Sequence, residues 1–176
     1  MPKRSKEKIE ADVQKIIKIF QSNARISFNE LAEKTGFSRQ KIWRIIKNLE
    51  KNKKIWGYTT IFDINKLGLK QFFIMLRRKG GTRVEKQIEY IINRKIKNQL
   101  KEMGVFIESS FYTNGDYDWI SLATAENIGQ MKKYMDYINR DFGHLLSDVK
   151  VVEVLFPLEK NNIENPNKQE LWEYFK

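Results

Sequence analysis

The most restrictive feature of this sequence is a pair of helices joined by a glycine turn, encoded by SFNELAEKTGFSRQKIWRIIKNLEK. Ser27 is followed three residues later by Glu30, which is the capping-box pattern of a helix start. Gly36 is expected to end this helix, because glycine tolerates the left-handed backbone of a tight exit. Ser38 then caps the next helix. Two helices joined by a short turn of this kind form a helix-turn-helix.

The second helix of the pair has one apolar face and one polar face. Its apolar residues recur at the i, i+3, i+4, i+7 spacing of a buried stripe: Ile42, Ile45, Ile46 and Leu49. An earlier amphipathic helix is predicted to complete this core through Ile9, Val13, Ile16, Ile17 and Phe20. The polar face of the last helix is therefore predicted to point outward.

The start and the outward face of that last helix are predicted to contact DNA. The candidate residues are Ser38, Arg39, Gln40, Lys41, Trp43, Arg44 and Lys47. Arg39, Gln40 and Lys41 lie in the first helical turn, which usually reaches base edges in the major groove. Arg and Gln side chains make the bidentate hydrogen bonds that distinguish guanine and adenine, whereas Lys47 suits a phosphate. A plain three-helix bundle with a polar outer face is the alternative.

Trp43 is open to two interpretations. Its indole could stack on a sugar or a methyl group of DNA, or it could fold back against the first helix. We favour packing against the first helix.

The charge of the chain is unevenly distributed. The net charge is +11, and the positive charge is concentrated in residues 1–56 and 66–101, whereas residues 102–176 are acidic overall. Such asymmetry indicates a polyanionic partner for the first part of the chain. A solvated, lysine-rich surface is the alternative explanation.

Composition and motifs argue against several other classes of protein. The chain has no cysteine and a single histidine, His144, so cysteine-rich and histidine-rich metal sites are excluded. No phosphate loop, paired-histidine motif or cysteine nucleophile is present, and we predict no enzyme activity and no cofactor. His144 follows a predicted helix exit, where a capping role explains it. Since neither a secretory signal nor a membrane span is present, we expect a cytoplasmic protein without a membrane partner.

The second half of the chain predicts alternating strands and helices in the order β-α-β-β-α-β, which is a ferredoxin-like domain. Its first helix is predicted as one long segment over TRVEKQIEYIINRKIKNQLKEMG, with inward-facing Val84, Ile88, Ile91, Ile92, Ile96, Leu100 and Met103. The strand after it is predicted to place Val105, Ile107, Ser109 and Phe111 on one face. The fold class is therefore α+β, with an N-terminal helix-turn-helix (winged-helix-like) domain followed by a ferredoxin-like βαββαβ domain.

The predicted organisation has four parts. They are a helix-turn-helix DNA-binding domain at 1–56, a linker strand at 57–69, a βαββαβ domain at 70–158, and a C-terminal extension at 159–176 with a short helix. In the extension, Asn167 and Glu170 suggest a helix cap. Leu171, Trp172 and Phe175 share one face of that helix, which we expect to dock on its own domain or on a neighbouring subunit.

These motifs, in this order, resemble the Lrp/AsnC family of transcriptional regulators, also called feast/famine regulators. The resemblance rests on ISFNELAEKTGFSRQKIWRIIKNLEK, then IWGYTTIFDINKLG, then a βαββαβ domain with NGDYDW at its central hairpin, and covers about residues 9–160. It implies a sequence-specific regulator of double-stranded DNA that forms a homodimer or a higher even-numbered oligomer through the βαββαβ domain. Many such regulators respond to an amino acid or a related small molecule. The basic first helix of the second domain and the C-terminal extension depart from the family pattern.

The resemblance also implies an effector site at the hairpin YTNGDYDW, where Asn-Gly predicts a tight turn. The candidate effector-binding residues are Asn114, Gly115, Asp116, Tyr117 and Asp118. A turn at positive φ can direct backbone N–H groups toward a carboxylate, and an aspartate can accept an ammonium group. Alternatively, Asp118 bonds the backbone of the turn, and Tyr117 packs with Trp119 at a dimer interface.

Two further functions stay open at this point. One is an architectural DNA-binding protein that has no effector. The other is a sirohaem decarboxylase, since those enzymes resemble the same two-domain architecture. The basic segment 66–101 would suit a tetrapyrrole, whereas the basic helix-turn-helix argues against this enzyme.

Overall fold

The computed structural model of the protein describes residues 6–81, 85–93 and 96–176. The chain divides into two units, one formed by Met1–Ile61 with Pro157–Lys176 and the other by Phe62–Phe156. None of the helices within the described ranges combines the length and the apolar character that crossing a bilayer requires.

The described residues of the first unit begin with α1 (Lys6–Ser22), α2 (Phe28–Thr35) and α3 (Arg39–Lys51). The predicted capping box is present, because the Ser27 hydroxyl accepts a hydrogen bond from the Glu30 amide at 3.2 Å and the Glu30 carboxylate accepts one from the Ser27 amide at 2.9 Å. Gly36 ends α2 with φ of 72°, in the left-handed region where a side chain would be strained. The helix-turn-helix predicted from the sequence is confirmed.

The core of this unit lies where the helices meet. Ile16, Leu31, Ile42 and Ile46 are its buried centre. Ile9, which the periodicity predicts to face inward, is 50% exposed. Ile16 and Phe20, which were also predicted to face inward, do pack in this core, and Ile19 joins them. Asp12 is buried one turn before Ile16 on the same helix.

The linker strand predicted at 57–69 is not formed. Residues 57–63 have no regular structure, and they are followed by a short 3₁₀ helix at Asn65–Leu67. A strand requires a partner for its N–H and C=O groups, and no strand within the described part of the chain pairs with this segment. Tyr58 instead holds the segment to the helices, through a hydrogen bond to Glu50 and an edge contact with Phe20.

The second unit is a sheet covered by helices. Its elements are β1 (Lys70–Arg78), α4 (Glu85–Ile92), α5 (Lys97–Glu102), β2 (Phe106–Tyr112), β3 (Trp119–Ala125), α6 (Ile128–Phe142) and β4 (Leu146–Val154). The strands are antiparallel in the order β2-β3-β1-β4. Phe72, Ile74 and Ala123 of the sheet pack against Met131 and Ile138 of α6. The ferredoxin-like fold class is thereby confirmed.

The long helix predicted near residues 82–103 is described as two segments, α4 and α5. Ile92 of α4 is 72% exposed, so its predicted inward orientation is wrong. Ile88 and Ile91 do line the space between α4 and the sheet, but they are only partly covered there, at 46% and 38% exposure. Leu100 of α5 is buried, and Ile96 and Met103 are half-buried. Because the helix does not run continuously, its apolar stripe does not keep one phase. Val84 lies outside the described residues.

The predicted single face of β2 is also wrong, because the strand contains a bulge. Ile107 pairs with Ala123 and Ser109 pairs with Leu122, which leaves Glu108 as an extra residue. One inserted residue reverses the alternation of faces beyond it. Ser110 and Tyr112 therefore share the helix-covered face with Ile107, whereas Ser109 and Phe111 lie on the opposite face.

The C-terminal segment forms a small hairpin and a 3₁₀ helix. Strands β5 (Glu159–Lys160) and β6 (Ile163–Glu164) are joined by Asn161 and Asn162, which have φ of 49° and 65°. The helix at Lys168–Phe175 has no side-chain cap from Asn167, contrary to the prediction. Trp172 and Phe175 contact each other and are 68% and 73% exposed. The predicted docking on its own domain is therefore not seen for these two rings.

Candidate DNA-binding face and ligand-binding residues

The outer face of α3 presents five of the predicted DNA-binding side chains to solvent. Ser38 fixes the helix start, since its hydroxyl accepts a hydrogen bond from the Lys41 amide at 3.3 Å. The exposed residues, which we call the α3 outer face, are Arg39, Gln40, Trp43, Arg44 and Lys47. Arg39, Trp43 and Lys47 follow one another at intervals of four residues, and Gln40 and Arg44 form a neighbouring row with the same interval. The two rows lie side by side on the helix. The face combines three cationic side chains, one amide and one indole.

Trp43 belongs to this outer face. Its side chain is 55% exposed, so the predicted packing against the first helix is wrong. The buried stripe of α3 occupies the side that meets the other helices, and Trp43, about 100° around the helix from Ile42, lies at the edge of the exposed side.

Lys41 does not join the outer face, in contrast to the prediction. Its Nζ lies 2.7 Å from Asp12 Oδ2, and the two side chains are only 14% and 12% exposed. The same ammonium lies 3.3 Å from the centroid of the Phe37 ring. This ion pair joins the first turn of α3 to α1. The sequence signal for it was the position of Asp12 one turn before Ile16 on the apolar face of α1.

Lys47 is engaged within the chain by a neighbouring carboxylate. Its Nζ donates to Glu50 Oε2 at 2.8 Å, and Tyr58 donates to Glu50 Oε1 at 3.0 Å. These hydrogen bonds, first from Lys47 and then from Tyr58, lower the pKa of Glu50. Lys47 is 57% exposed, so its ammonium can also reach an external phosphate.

The loop between β2 and β3 is a hairpin, as predicted, but it is not a tight Asn-Gly turn. A two-residue type I′ turn needs positive φ at both central residues. Gly115 has φ of 155°, whereas Asn114 is not among the residues with positive φ. The wider loop is closed by Thr113, whose hydroxyl donates to the Tyr117 carbonyl at 2.6 Å and whose amide donates to the Asp118 carbonyl at 2.9 Å.

Asp118 is held by β1. Its Oδ2 accepts a hydrogen bond from the Arg78 amide and its Oδ1 accepts one from Arg78 Nε, both at 2.8 Å. The amide contact and then the guanidinium lower the pKa of the Asp118 carboxyl. The carboxylate therefore fastens the end of the loop to the neighbouring strand, and not to the backbone of its own turn.

Tyr117 faces a different set of partners. Its hydroxyl donates to Asp148 Oδ2 at 3.1 Å, and its ring centroid lies 5.0 Å from the Arg77 guanidinium carbon and 5.6 Å from Lys150 Nζ. Arg77, which contacts Tyr117, and Arg78, which bonds Asp118, are consecutive residues of β1 and point to opposite faces of the sheet. Tyr117 and Asp118 therefore have their contacts on different faces. Asn114, Gly115 and Asp116 form the exposed tip. The five predicted effector residues therefore do not converge on one point.

The sheet face opposite the helices is largely apolar and exposed. Phe73, Phe106, Phe111 and Val152 are 42–60% exposed on this side, which we call the open sheet face. The bulged Glu108 lies on it as well, where its carboxylate accepts hydrogen bonds from Gln71 at 2.7 Å and from Thr124. Contiguous apolar surface of this kind typically marks an interaction site.

Sequence comparison relates the chain to regulators. The winged helix-turn-helix DNA-binding family matches residues 13–55. An uncharacterized HTH-type transcriptional regulator of Pyrococcus abyssi, PYRAB00690, is 35% identical over 82 residues, which are 47% of this chain and 55% of the relative. The chain thus spans about half the length of that relative. The HTH-type transcriptional regulator Ptr1 of Methanocaldococcus jannaschii is 26% identical over 121 residues, covering 69% of this chain and 75% of Ptr1.

Solved structures extend the similarity to both units. PH0061 of Pyrococcus horikoshii superposes with a TM-score of 0.66 at 20% identity, over 91% of this chain and 98% of that chain. An AsnC family transcriptional regulator from Agrobacterium tumefaciens gives 0.60 at 19% identity, over 94% and 98%. The regulator NMB0573 of Neisseria meningitidis, solved as a complex with L-Met, gives 0.63 at 19% identity, over 85% and 90%. The resemblance indicated by the sequence is confirmed, and this chain has the fold of the Lrp/AsnC transcriptional regulators.

Proposed function

We propose that this protein is a sequence-specific, double-stranded-DNA-binding transcriptional regulator of the Lrp/AsnC type that acts in the cytoplasm. The observation that carries the proposal is the α3 outer face, where exposed cationic, amide and indole side chains share one side of a capped helix. The winged helix-turn-helix match over residues 13–55 supports the same assignment. Relatives that are HTH-type transcriptional regulators favour a non-enzymatic role over the decarboxylase alternative.

The side chains of the outer face have different roles in this proposal. Arg39 and Gln40, in the first turn of α3, read base edges in the major groove. Arg44 and Lys47 contact phosphates further along the helix. Trp43 supplies an exposed apolar surface for a sugar or a thymine methyl group. Lys41 contacts no DNA and instead positions the helix through Asp12.

Selection from random duplex DNA tests the regulator directly. The wild-type protein should enrich a defined sequence, and its affinity for that sequence should fall with salt concentration. Lys47→Ala should weaken selected and scrambled duplexes alike and should reduce the slope of log affinity against log salt by about 0.9 for each phosphate that is no longer neutralised. Lys18→Ala, at an exposed position of α1, is the matched control and should keep the wild-type slope. Failure to enrich any sequence would contradict the proposal.

We also propose that two copies associate through the open sheet face, giving a homodimer or a higher even-numbered oligomer. The exposed apolar side chains of this face support the assignment, because removing them from water in an interface stabilises the dimer. We expect the two half-sites of the selected DNA to lie about one helical turn, 34–36 Å, apart. Deleting two base pairs between the half-sites should weaken binding to the selected DNA.

Phe73→Asp should disrupt the association, because it places a charge in the centre of the apolar face. Sedimentation velocity at micromolar concentration should then show a monomer, with unchanged far-ultraviolet circular dichroism. Ile128→Asp is the control, since Ile128 is also exposed (57%) but lies at the start of α6 and away from the open sheet face. A Phe73→Asp protein that remained dimeric would place the interface elsewhere.

An amino acid or a related small molecule modulates this regulator in our proposal, and an architectural protein without an effector is the alternative. The L-Met complex of NMB0573 supports the proposal by analogy of fold. Asp118, one of the five candidate effector residues, also lines a cavity of the second unit, together with Tyr112 and Trp119 of the same hairpin, and this bears on the ligand.

A further inference from the structure

The second unit contains an apolar cavity of about 180 Å³ between the sheet and its helices. Its wall is mostly branched aliphatic and aromatic, and includes Ile74, Ile88, Ile91, Leu100, Ile138 and Phe142. Ile88 and Ile91 are 46% and 38% exposed, so the cavity is reached by solvent beside α4. Tyr134 belongs to the same wall, and burial raises its pKa to about 12, which keeps its phenol neutral.

The polar groups of the cavity gather at one end, where β1, β2 and β3 meet. Arg78 donates from Nε to Asp118 at 2.8 Å and from Nη2 to the Tyr112 hydroxyl at 3.2 Å. A guanidinium carries five N–H donors, so these two contacts leave three that they do not use. The Tyr112 hydroxyl accepts from Arg78, and its own proton can be donated to a further acceptor.

A second polar pair lies beside this group. The Ser110 and Ser121 hydroxyls are 3.0 Å apart, and the Trp119 indole N–H donates to Ser110 at 2.6 Å. The bulge at Glu108 is what turns Ser110 and Tyr112 into the cavity. The cavity therefore has an apolar body and one donor-rich end, which is the usual pattern of a small-molecule site.

We propose that this cavity binds a small carboxylate with a branched-aliphatic or aromatic body. The body occupies the apolar part, and the carboxylate accepts hydrogen bonds from Arg78 and Tyr112. A dry cavity of about 150 Å³ holds a benzene molecule, so a body of about five to seven carbon atoms fits here. The cavity can bind a ligand whether or not the protein is a regulator. Only the identification of that ligand as the effector rests on the proposed function.

Two sources of this chemistry differ in one group. A simple carboxylic acid presents only the carboxylate, whereas an amino acid also presents an ammonium group. Among the described residues of the cavity wall, Asp118 is the one that is acidic, and its charge is already balanced by Arg78. An ammonium group would have to share Asp118 with Arg78, so the two kinds of ligand are distinguished by their relative affinities.

Calorimetric titration of the full chain with 4-methylpentanoate, leucine and the neutral 4-methylpentanamide tests the proposal without DNA. Saturable binding of at least one carboxylate is expected, with the amide weaker by about tenfold or more because a charge-assisted hydrogen bond is lost. Tighter binding of the acid identifies a simple carboxylate, and tighter binding of leucine identifies an amino acid. Absence of binding by both carboxylates, or equal binding of the amide, would overturn the proposal.

Paired variants locate the site. Ile91→Trp fills the cavity and should abolish binding, whereas Ile92→Trp, on the neighbouring residue that is 72% exposed and outside the cavity wall, should retain it. Arg78→Gln should weaken the carboxylates by about tenfold or more. Lys70→Gln is its control, since Lys70 forms an ion pair on the same side of β1 at the other end of the strand. Wild-type affinity in both Ile91→Trp and Arg78→Gln would overturn the cavity as the site.

The two proposals fail separately. Ligand affinity is measured in the absence of DNA, and DNA selection is measured in the absence of ligand. A protein that selects a DNA sequence without binding these carboxylates remains a regulator and loses only the cavity site. A protein that binds them without selecting DNA loses only the regulator assignment.

Discussion

Asp12→Ala should lower the free energy of unfolding of the helix-turn-helix by about 3 kcal/mol, the lower end of the range for removing one partner of a buried ion pair. The reason is that the Lys41 ammonium stays enclosed after its carboxylate is removed, beside the Phe37 ring and largely out of water. Urea unfolding followed by circular dichroism measures the effect. Glu10→Ala, at an exposed acidic position of the same helix, should change stability by less than about 0.5 kcal/mol.

A double variant separates the pair from the packing around it. Asp12→Leu with Lys41→Met removes both charges and should recover most of the lost stability, because an apolar pair of similar volume is often neutral in place of a buried ion pair. The same double variant should keep the wild-type salt slope on selected DNA, since Lys41 makes no phosphate contact in the proposed complex. A lower slope would return Lys41 to the DNA interface that the sequence had suggested.

Arg39→Ala and Gln40→Ala should each weaken binding to the selected duplex by about 5-fold to 150-fold, which corresponds to about 1–3 kcal/mol per base-reading contact. Gln40→Ala should leave binding to a scrambled duplex almost unchanged, because an uncharged side chain contributes no counterion release. Fluorescence anisotropy on both duplexes at fixed salt gives the ratio. Full discrimination in both variants would mean that another part of α3 enters the groove.

Ser38→Ala gives a useful comparison for these two variants. Loss of the cap should cost about 1 kcal/mol of stability, whereas the ratio of selected to scrambled affinity should stay near that of the wild type. A specific fall in that ratio for Arg39→Ala and Gln40→Ala therefore reports base reading and not loss of fold.

The parts of the fold that were predicted correctly are those encoded by neighbouring residues. Ser27, Glu30 and Gly36 act within one helix, so their pattern determines its start and its end. The order of strands and helices in the second unit is similarly local, because each element has its own apolar periodicity. These features need no information about what lies across the core.

The errors concern side chains whose environment is set by residues distant in sequence. Lys41 and Asp12 are separated along the chain, and only the packing of α1 on α3 brings them together. The bulge at Glu108 follows from pairing with β3, and it changes which side chains of β2 enter the cavity. Asp118 remains a predicted effector residue, and its partner Arg78 could be found only from the pairing of β1 with β3.

The turn prediction shows a similar limit. Asn114 and Gly115 have the composition of a two-residue hairpin, but Thr113 closes a longer loop by bonding across it. The tight turn with two positive φ angles occurs instead at Asn161 and Asn162. Residue type makes such a turn possible, and the distance between the two strand ends decides whether it forms.

Glu108 has a consequence for whatever covers the open sheet face. Any apolar surface placed there must either leave this carboxylate hydrated or bring a hydrogen-bond donor to it, since burying a charged group without a compensating donor costs free energy. Gln71 of β1 and Thr124 of β3 already donate hydrogen bonds to this carboxylate from within the sheet. The carboxylate thus fixes the register of the partner on this apolar surface. A partner shifted by one residue along the strands would no longer place its hydrogen-bond donor against Glu108.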